Sequence, residues 1–357
     1  MRDSNWSPDF RETGARIAWF LDKEIDVNTD GVIAVDVAFV KYLLETVGPV
    51  KLPDYQTTVT SDNLYTEAQT AAEADFFPGS TKKRDFLGSL GRALLTKLVT
   101  EENILDGKLA INLFKSLKER HLLVYFTNPT LEDEVSMFGW SGQLTLPKNC
   151  DDNCLSDFIQ VVDANLGVNK VNYYINRKIQ DEVVFSADKL EHTTRITFKN
   201  TSPNSSKWGG DYKNYARVFV PMDAELISAR VEDLSLTLTA GGVATDSTAS
   251  SGFESGWRVF SSWLTISPNE EKTLTFVYTR PIVDISQALK YVYKIQKQPG
   301  TKNDDFQLTI KHPVGWQMAR ETSSGEVAGA TTLANDGKNT YNSSLSEDIL
   351  YIFNIGQ

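Results

Sequence analysis

The hydrophobic pattern of this chain changes period near residue 157, and that change limits what it can fold into. Before it, apolar residues recur at helical spacing between short strand-like runs. After it they alternate, in strand-length segments separated by Gly, Ser, Asn and Pro clusters. At 357 residues the chain is too long for one ordinary core. The expected architecture is multidomain α/β plus all-β. An α/β domain spans 1–157 and an immunoglobulin-like β-sandwich spans 158–284. Residues 285–357 form either a second small sandwich or the completion of the first.

In the first part, Val32 to Val37 reads as a strand buried on both faces, and Phe39, Val40, Leu43, Leu44 and Val47 then form a helical stripe stopped by Gly48-Pro49. Thr60 or Ser61 caps a second helix that runs to about Asp75, and Phe76-Phe77-Pro78-Gly79 breaks it. A third helix carries the stripe Phe86, Leu87, Leu90, Leu94 and Leu98, a fourth spans Gly107 to Glu119, and His121 to Phe126 reads as a strand. In the second part Leu274, Phe276 and Tyr278 share one strand face, Ser267 to Lys272 has the composition of a hairpin loop, and Gly241 to Gly252 reads as a mobile surface loop.

The net charge of -11 and the pI near 4.9 argue against a general nucleic-acid binder, which needs a basic face, so no nucleic-acid partner is expected. No apolar run approaches the roughly 18 residues of a membrane span, and the start M-R-D-S-N-W-S-P-D-F has no signal-peptide core, so this chain by itself reads as soluble. The only cysteines, Cys150 and Cys154, make a loop disulfide or two free thiols. The disulfide would imply an oxidising compartment.

Nucleotide-binding, serine-elbow and zinc-helix motifs are absent, and His121, His192 and His312 are too scattered in sequence to suggest a triad. Positive charge in an acidic chain stands out instead: Lys82, Lys83, Arg84, Arg92 and Lys97 crowd one helix with only Asp85 against them. Arg84, Gly88, Gly91 and Arg92 fall on one strip, and the glycines suggest a close approach to the backbone. Guanidinium groups beside small residues suit a phosphate or diphosphate, whereas a solvated helix face explains the same charges without a ligand.

The stretches R-D-S-N-W-S-P-D-F, T-D-G-V-I-A-V-D, L-L-E-T-V-G-P-V, F-F-P-G-S-T-K-K-R-D-F-L-G-S-L-G-R-A-L-L-T-K-L and V-V-D-A-N-L-G-V-N-K-V-N-Y-Y resemble the bacterial domain-of-unknown-function family 4012. In that family a membrane anchor and the first strands of the α/β domain precede R-D. The resemblance therefore implies an N-terminally truncated α/β domain, in a protein that is extracytoplasmic and membrane-anchored at full length.

The order of Arg2-Asp3, the unit Thr29 to Val50 and Arg84 with Phe86-Leu87 and Leu90 is more distantly similar to the LytR-CpsA-Psr phosphotransferases. That similarity implies Mg²⁺-dependent transfer of glycan phosphate from a polyprenyl diphosphate to a cell-wall acceptor. Arg2, Arg84 and Arg92 would bind phosphate, and Asp3 would hold Mg²⁺ or act as base. Pro49, Glu45 and the thinned arginines depart from the enzyme pattern, so a non-catalytic envelope scaffold, or a surface protein that binds glycan or protein, is the competing expectation. For glycan stacking the aromatic candidates are Trp208 and Trp257.

Overall fold

The computed structural model describes the chain except residues 1–3, 74–81, 101–106, 148–149, 151–152, 168, 205–207, 283–287, 322–336 and 357, and the side chains of 72–73 and 82–84. Arg2, Asp3 and the Phe76 to Gly79 breaker therefore lie outside the described residues, as does the side chain of Arg84. The chain divides into Met1–Gln143 and Leu144–Gln357. The boundary falls before residue 157 because Cys154–Val162 is already a strand of the second unit.

The first unit contains α1 (Phe10–Ile25), β1 (Gly31–Val35), α2 (Val37–Val47), β2 (Val50–Leu52), β3 (Thr57–Val59), α3 (Leu64–Glu73), α4 (Lys82–Thr100), α5 (Gly107–Lys118), β4 (Leu122–Phe126) and α6 (Pro129–Met137). Local chemistry sets several ends. Asp9 caps α1 through Arg11 N, Asp36 caps α2 through Phe39 N, and Gly48 ends α2 at φ 75°, where a side chain would be strained. Thr60 and Asn63 bond reciprocally ahead of α3, Thr60 N donating to Asn63 Oδ1 at 2.7 Å and Asn63 N to Thr60 Oγ1 at 3.2 Å.

The stripe of α4 enters a core of Leu44, Val47, Val50, Leu52, Val59, Leu64, Phe86, Leu90 and Leu94, while Leu87 stays exposed. Among the described residues strand β1 pairs with β4, antiparallel, in a two-stranded sheet. The expectation that this strand is buried on both faces is corrected: Ile33 and Val35 share one face and remain 67% and 51% exposed.

The second unit consists of strands β5 (Cys154–Val162), β6 (Ile175–Phe185), β7 (Lys189–Asn200), β8 (Tyr212–Val220), β9 (Glu225–Val231), β10 (Leu234–Ser235), β11 (Thr237–Ala240), β12 (Thr248–Glu254), β13 (Trp257–Ile266), β14 (Glu271–Pro281), β15 (Lys290–Gln296), β16 (Asp304–Lys311), β17 (Gln317–Arg320), β18 (Lys338–Leu345) and β19 (Ile349–Gly356). Among the described residues they make a seven-stranded sheet, β10-β9-β14-β7-β6-β16-β18, and an eight-stranded sheet, β11-β12-β13-β8-β5-β15-β19-β17. Alternate residues of both sheets close one core; Ile179, Ile196 and Phe276 from one sheet and Val218, Phe260 and Tyr293 from the other are wholly buried.

The described part of residues 285–357 completes this sandwich, one of the two expected alternatives, because β15 pairs in parallel with β5 and β16 in parallel with β6. Three other expectations change. Those parallel pairs and the strand number also depart from a seven-stranded immunoglobulin sandwich. Ser267 to Lys272 is no hairpin: β13 and β14 lie in different sheets, so the segment crosses between them and sends Ile266 and Leu274 into one core from opposite sides. Finally, Thr248 to Gly252 of the presumed loop belongs to β12, which pairs along β13 and buries Ala249.

Candidate functional site

The helix that carries the basic residues is α4, whose apolar stripe is buried and whose Arg92 lies on the opposite, solvent side. Arg92 is exposed and donates from Nη2 to Ser89 Oγ on its own helix at 3.1 Å. The glycines admit no close neighbour: a Cβ at Gly91 would meet nothing within 4 Å, and one at Gly88 only Arg92 Nη1 at 3.5 Å. Among the described residues, no neighbouring segment approaches the backbone there. Lys97 is used in holding the fold, its Nζ donating to Pro49 O at 3.1 Å.

Asp36 and His121 are brought together although 85 residues separate them, because Asp36 follows β1 and His121 precedes its antiparallel partner β4. His121 Nδ1 lies 2.6 Å from Asp36 Oδ2, and its Nε2 lies 3.7 Å from Glu119 Oε2. The Tyr42 hydroxyl donates to that same Glu119 oxygen at 2.6 Å; burial first, then Glu119, raises the phenol far above its usual range. Asp36 Oδ1 is spent on the cap of α2, so the cluster ties β1, α2, α5 and β4 together.

The densest titratable cluster lies inside the sandwich. His192 on β7 is wholly buried, with Nδ1 3.0 Å from Asp181 Oδ2 on β6 and Nε2 3.0 Å from Asp157 Oδ2 on β5. The ring of Tyr278 on β14 stacks on the imidazole at 4.5 Å. From β15, Tyr291 donates to Asp157 and Tyr293 to Asp181, each at 2.9 Å. Thr194 donates to the other oxygen of Asp181 at 2.7 Å. Arg280 Nη1 lies 3.1 Å from Asp157 Oδ1 and the same guanidinium holds Asp223 through Nε and Nη2.

Burial alone would depress His192, but the two carboxylates outweigh it and push it up to about 9. Burial likewise opposes the charge on Asp157, yet His192 and Arg280 hold its carboxyl well below the usual range. Tyr278, Tyr291 and Tyr293 are raised by burial and by the nearby carboxylates, so all three stay neutral, and Tyr291 and Tyr293 act as donors.

A second cluster centres on Arg177 of β6, which reaches Asp304 at 2.6 Å and Asp163 at 2.7 Å and donates to Gln298 Oε1 at 3.1 Å. Asp157, Asp181 and His192 are closed to solvent, Arg177 and Asp304 nearly so, while Asp223 at the edge of the first cluster is 43% exposed. Both clusters join the two sheets.

Sequence reasoning missed these residues, but a signal existed. Arg177, Asp181, His192 and Thr194 share the phase of Ile179, Val183 and Ile196, the core-facing phase of β6 and β7. Of the stacking candidates, Trp257 is buried against Phe158 at 4.3 Å, and Trp208 is half-buried with its indole nitrogen enclosed. Trp257 provides no open platform. The cysteines form a disulfide, Cys150–Cys154.

Among the described residues no group of three or more His, Cys, Asp and Glu is arranged to hold a metal ion, and no helix is long and apolar enough to cross a membrane.

The class of protein is thus mixed α/β, with many strands in two large sheets and few helices. Residues 1–72, from the N-terminus into α3, match the family described as Protein of unknown function (DUF4012). No curated protein matches the chain. Among solved structures it is similar to an M1 zinc metallopeptidase from Deinococcus radiodurans bound to a Tyr-Ser-Ala substrate, at TM-score 0.27 and 10% identity over 50% of this chain and 42% of that one. It is also similar to leukotriene A4 hydrolase from Saccharomyces cerevisiae, at TM-score 0.25 and 8% identity over 54% of this chain and 31% of that one. The chain spans less than half the length of either structure.

Proposed function

We propose that this chain is part of an extracytoplasmic cell-envelope scaffold, membrane-anchored at full length. Its α/β unit is related to the LytR-CpsA-Psr phosphotransferases but no longer transfers glycan phosphate. The observation that carries this reading is the Asp157–His192–Asp181 cluster, where charged groups are buried between two sheets as struts. The disulfide supports the compartment.

The test has two arms. Purified protein incubated with Mg²⁺ and a polyprenyl-diphosphate glycan is expected to leave that substrate intact; Mg²⁺-dependent consumption, abolished by Arg84→Ala, would establish the transferase instead. In bacterial cells making the full-length protein, Cys150 and Cys154 are expected to take up a maleimide only after reduction. Direct labelling would overturn the oxidising compartment.

A further inference from the structure

The sandwich has four sheet edges among the described residues: β10 has two residues and β11 and β17 four each, whereas β18 has eight. A short edge strand leaves little backbone for another chain to pair with, and a long one leaves a row of unpaired N–H and C=O groups. β18 runs in continuous register along β16, from Lys338 opposite Lys311 to Leu345 opposite Asp304, with no bulge. It contains no proline, and its only charged residue is Lys338 at its start. Among the described residues no backbone bond reaches it from the side away from β16.

β18 is anchored in the core and ends a polar row. Tyr341 packs at 5.8 Å on Tyr351 and 5.3 Å on Phe353, and Ser343 shares a hydrogen bond with the Tyr351 hydroxyl at 2.7 Å. On the other face Gln180 Nε2 donates to Gln307 Oε1 at 2.8 Å, and Gln307 Nε2 donates to Asn342 Oδ1 at 2.9 Å. Asn342 is exposed, so this row of amides stops at the open edge with the Asn342 NH2 as its last donor. Amide rows continue readily across paired strands.

We propose that β18 pairs antiparallel with β18 of a second copy of this chain, joining two seven-stranded sheets edge to edge. Such a pair has twofold symmetry, so each strand supplies the edge that the other needs. Charge favours this occupant. The chain carries -11, which sets two copies against each other at an acidic surface, but β18 holds no carboxylate. Its ends are opposite in sign, with Lys338 at the start and Glu347 and Asp348 just past the end, and antiparallel pairing brings the start of one copy beside the end of the other. Asp305 of β16, on the same face as Asn342, lies opposite Ser344 at that acidic end and beside Lys178 of β6. The polar faces stay in phase when Asn342 lies opposite its counterpart, which carries the amide row across the junction. The proposal is independent of the scaffold reading and of glycan transfer.

Sedimentation equilibrium of the whole chain tests it. A concentration-dependent dimer is expected, with its dissociation constant raised about tenfold or more in Asn342→Lys, which sets two ammonium groups against each other at the centre of the junction. Hydrogen exchange is expected to slow in β18 as chain concentration rises, and not in β10, β11 or β17. Circular dichroism and the melting midpoint report whether Asn342→Lys folds; if it does not, Asn342→Asp, which keeps an acceptor for Gln307 and sets two carboxylates together, carries the test with the same expectation. A chain that stays monomeric up to about 1 mM, or a dimer unchanged in the folded variant, overturns the proposal. So does dimerisation that leaves exchange in β18 unchanged, which would assign the contact to another surface.

Discussion

Because His192 is charged between Asp157 and Asp181, its contribution to stability follows its proton. Its folded value of about 9 exceeds the ordinary 6.5, so the contribution is present below 6.5 and is lost as pH rises through about 9. A shift of that size corresponds to on the order of 3 kcal/mol. Asp157 acts in the opposite sense: depressed from 3.8, it stabilises above that value and loses its effect as pH falls through its lower folded value. Urea unfolding between pH 5 and 10 is expected to show stability declining above about 6.5. His192→Gln should abolish that slope and cost roughly 3–5 kcal/mol at neutral pH, by leaving buried carboxylates unpaired. An undiminished slope in the variant would assign the titration to another group. At Gly14 the constraint is steric: a Cβ would come within 2.5 Å of Tyr125 Cβ and Cγ, so Gly14→Ala should lower stability by about 1–3 kcal/mol in the same assay.

At the scale of elements, single charged residues connect segments that are distant in the chain. Arg177 links β6 to Asp304 at the start of β16 and to Asp163 just after β5. Arg177→Met leaves both carboxylates buried without their cation, and a loss of roughly 3–5 kcal/mol is expected by denaturant titration. Restoration by Asp163→Asn and Asp304→Asn in the same chain would confirm that the unpaired charges cause it. The N-terminus of α2 separates capping from the His121 contact. Asp36→Asn keeps an oxygen for Phe39 N, whereas Asp36→Ala removes it and should cost about 1 kcal/mol more. Equal losses would mean that the cap contributes nothing.

At the scale of the whole molecule, each unit has its own hydrophobic core, so unfolding is expected in two steps rather than one. The alkaline-sensitive step should be the one that moves in His192→Gln, because His192 lies in the second unit. Much of the architecture was legible from local pattern. The α2 stripe with its Gly48 stop, the α4 stripe, and the alternation of Leu274, Phe276 and Tyr278 each report a period that one element can satisfy by itself. The candidate site was not legible in the same way. The sequence drew the eye to the arginines of α4, while Asp157, Asp181, His192 and Arg280 come from four strands in two sheets and carry no shared spacing.

The sequence by itself determined several of the helices and strands, such as α2, α4 and β14, and their apolar faces, because those depend on side-chain period and on capping within a few residues. Only the tertiary structure decided that one face of β1 stays exposed, that Thr248 to Gly252 joins a sheet, that Ser267 to Lys272 crosses between sheets, and that Asp157 and Asp181 meet His192. Strand order and the partner of a buried charge depend on distant segments, whose pairing no local period encodes.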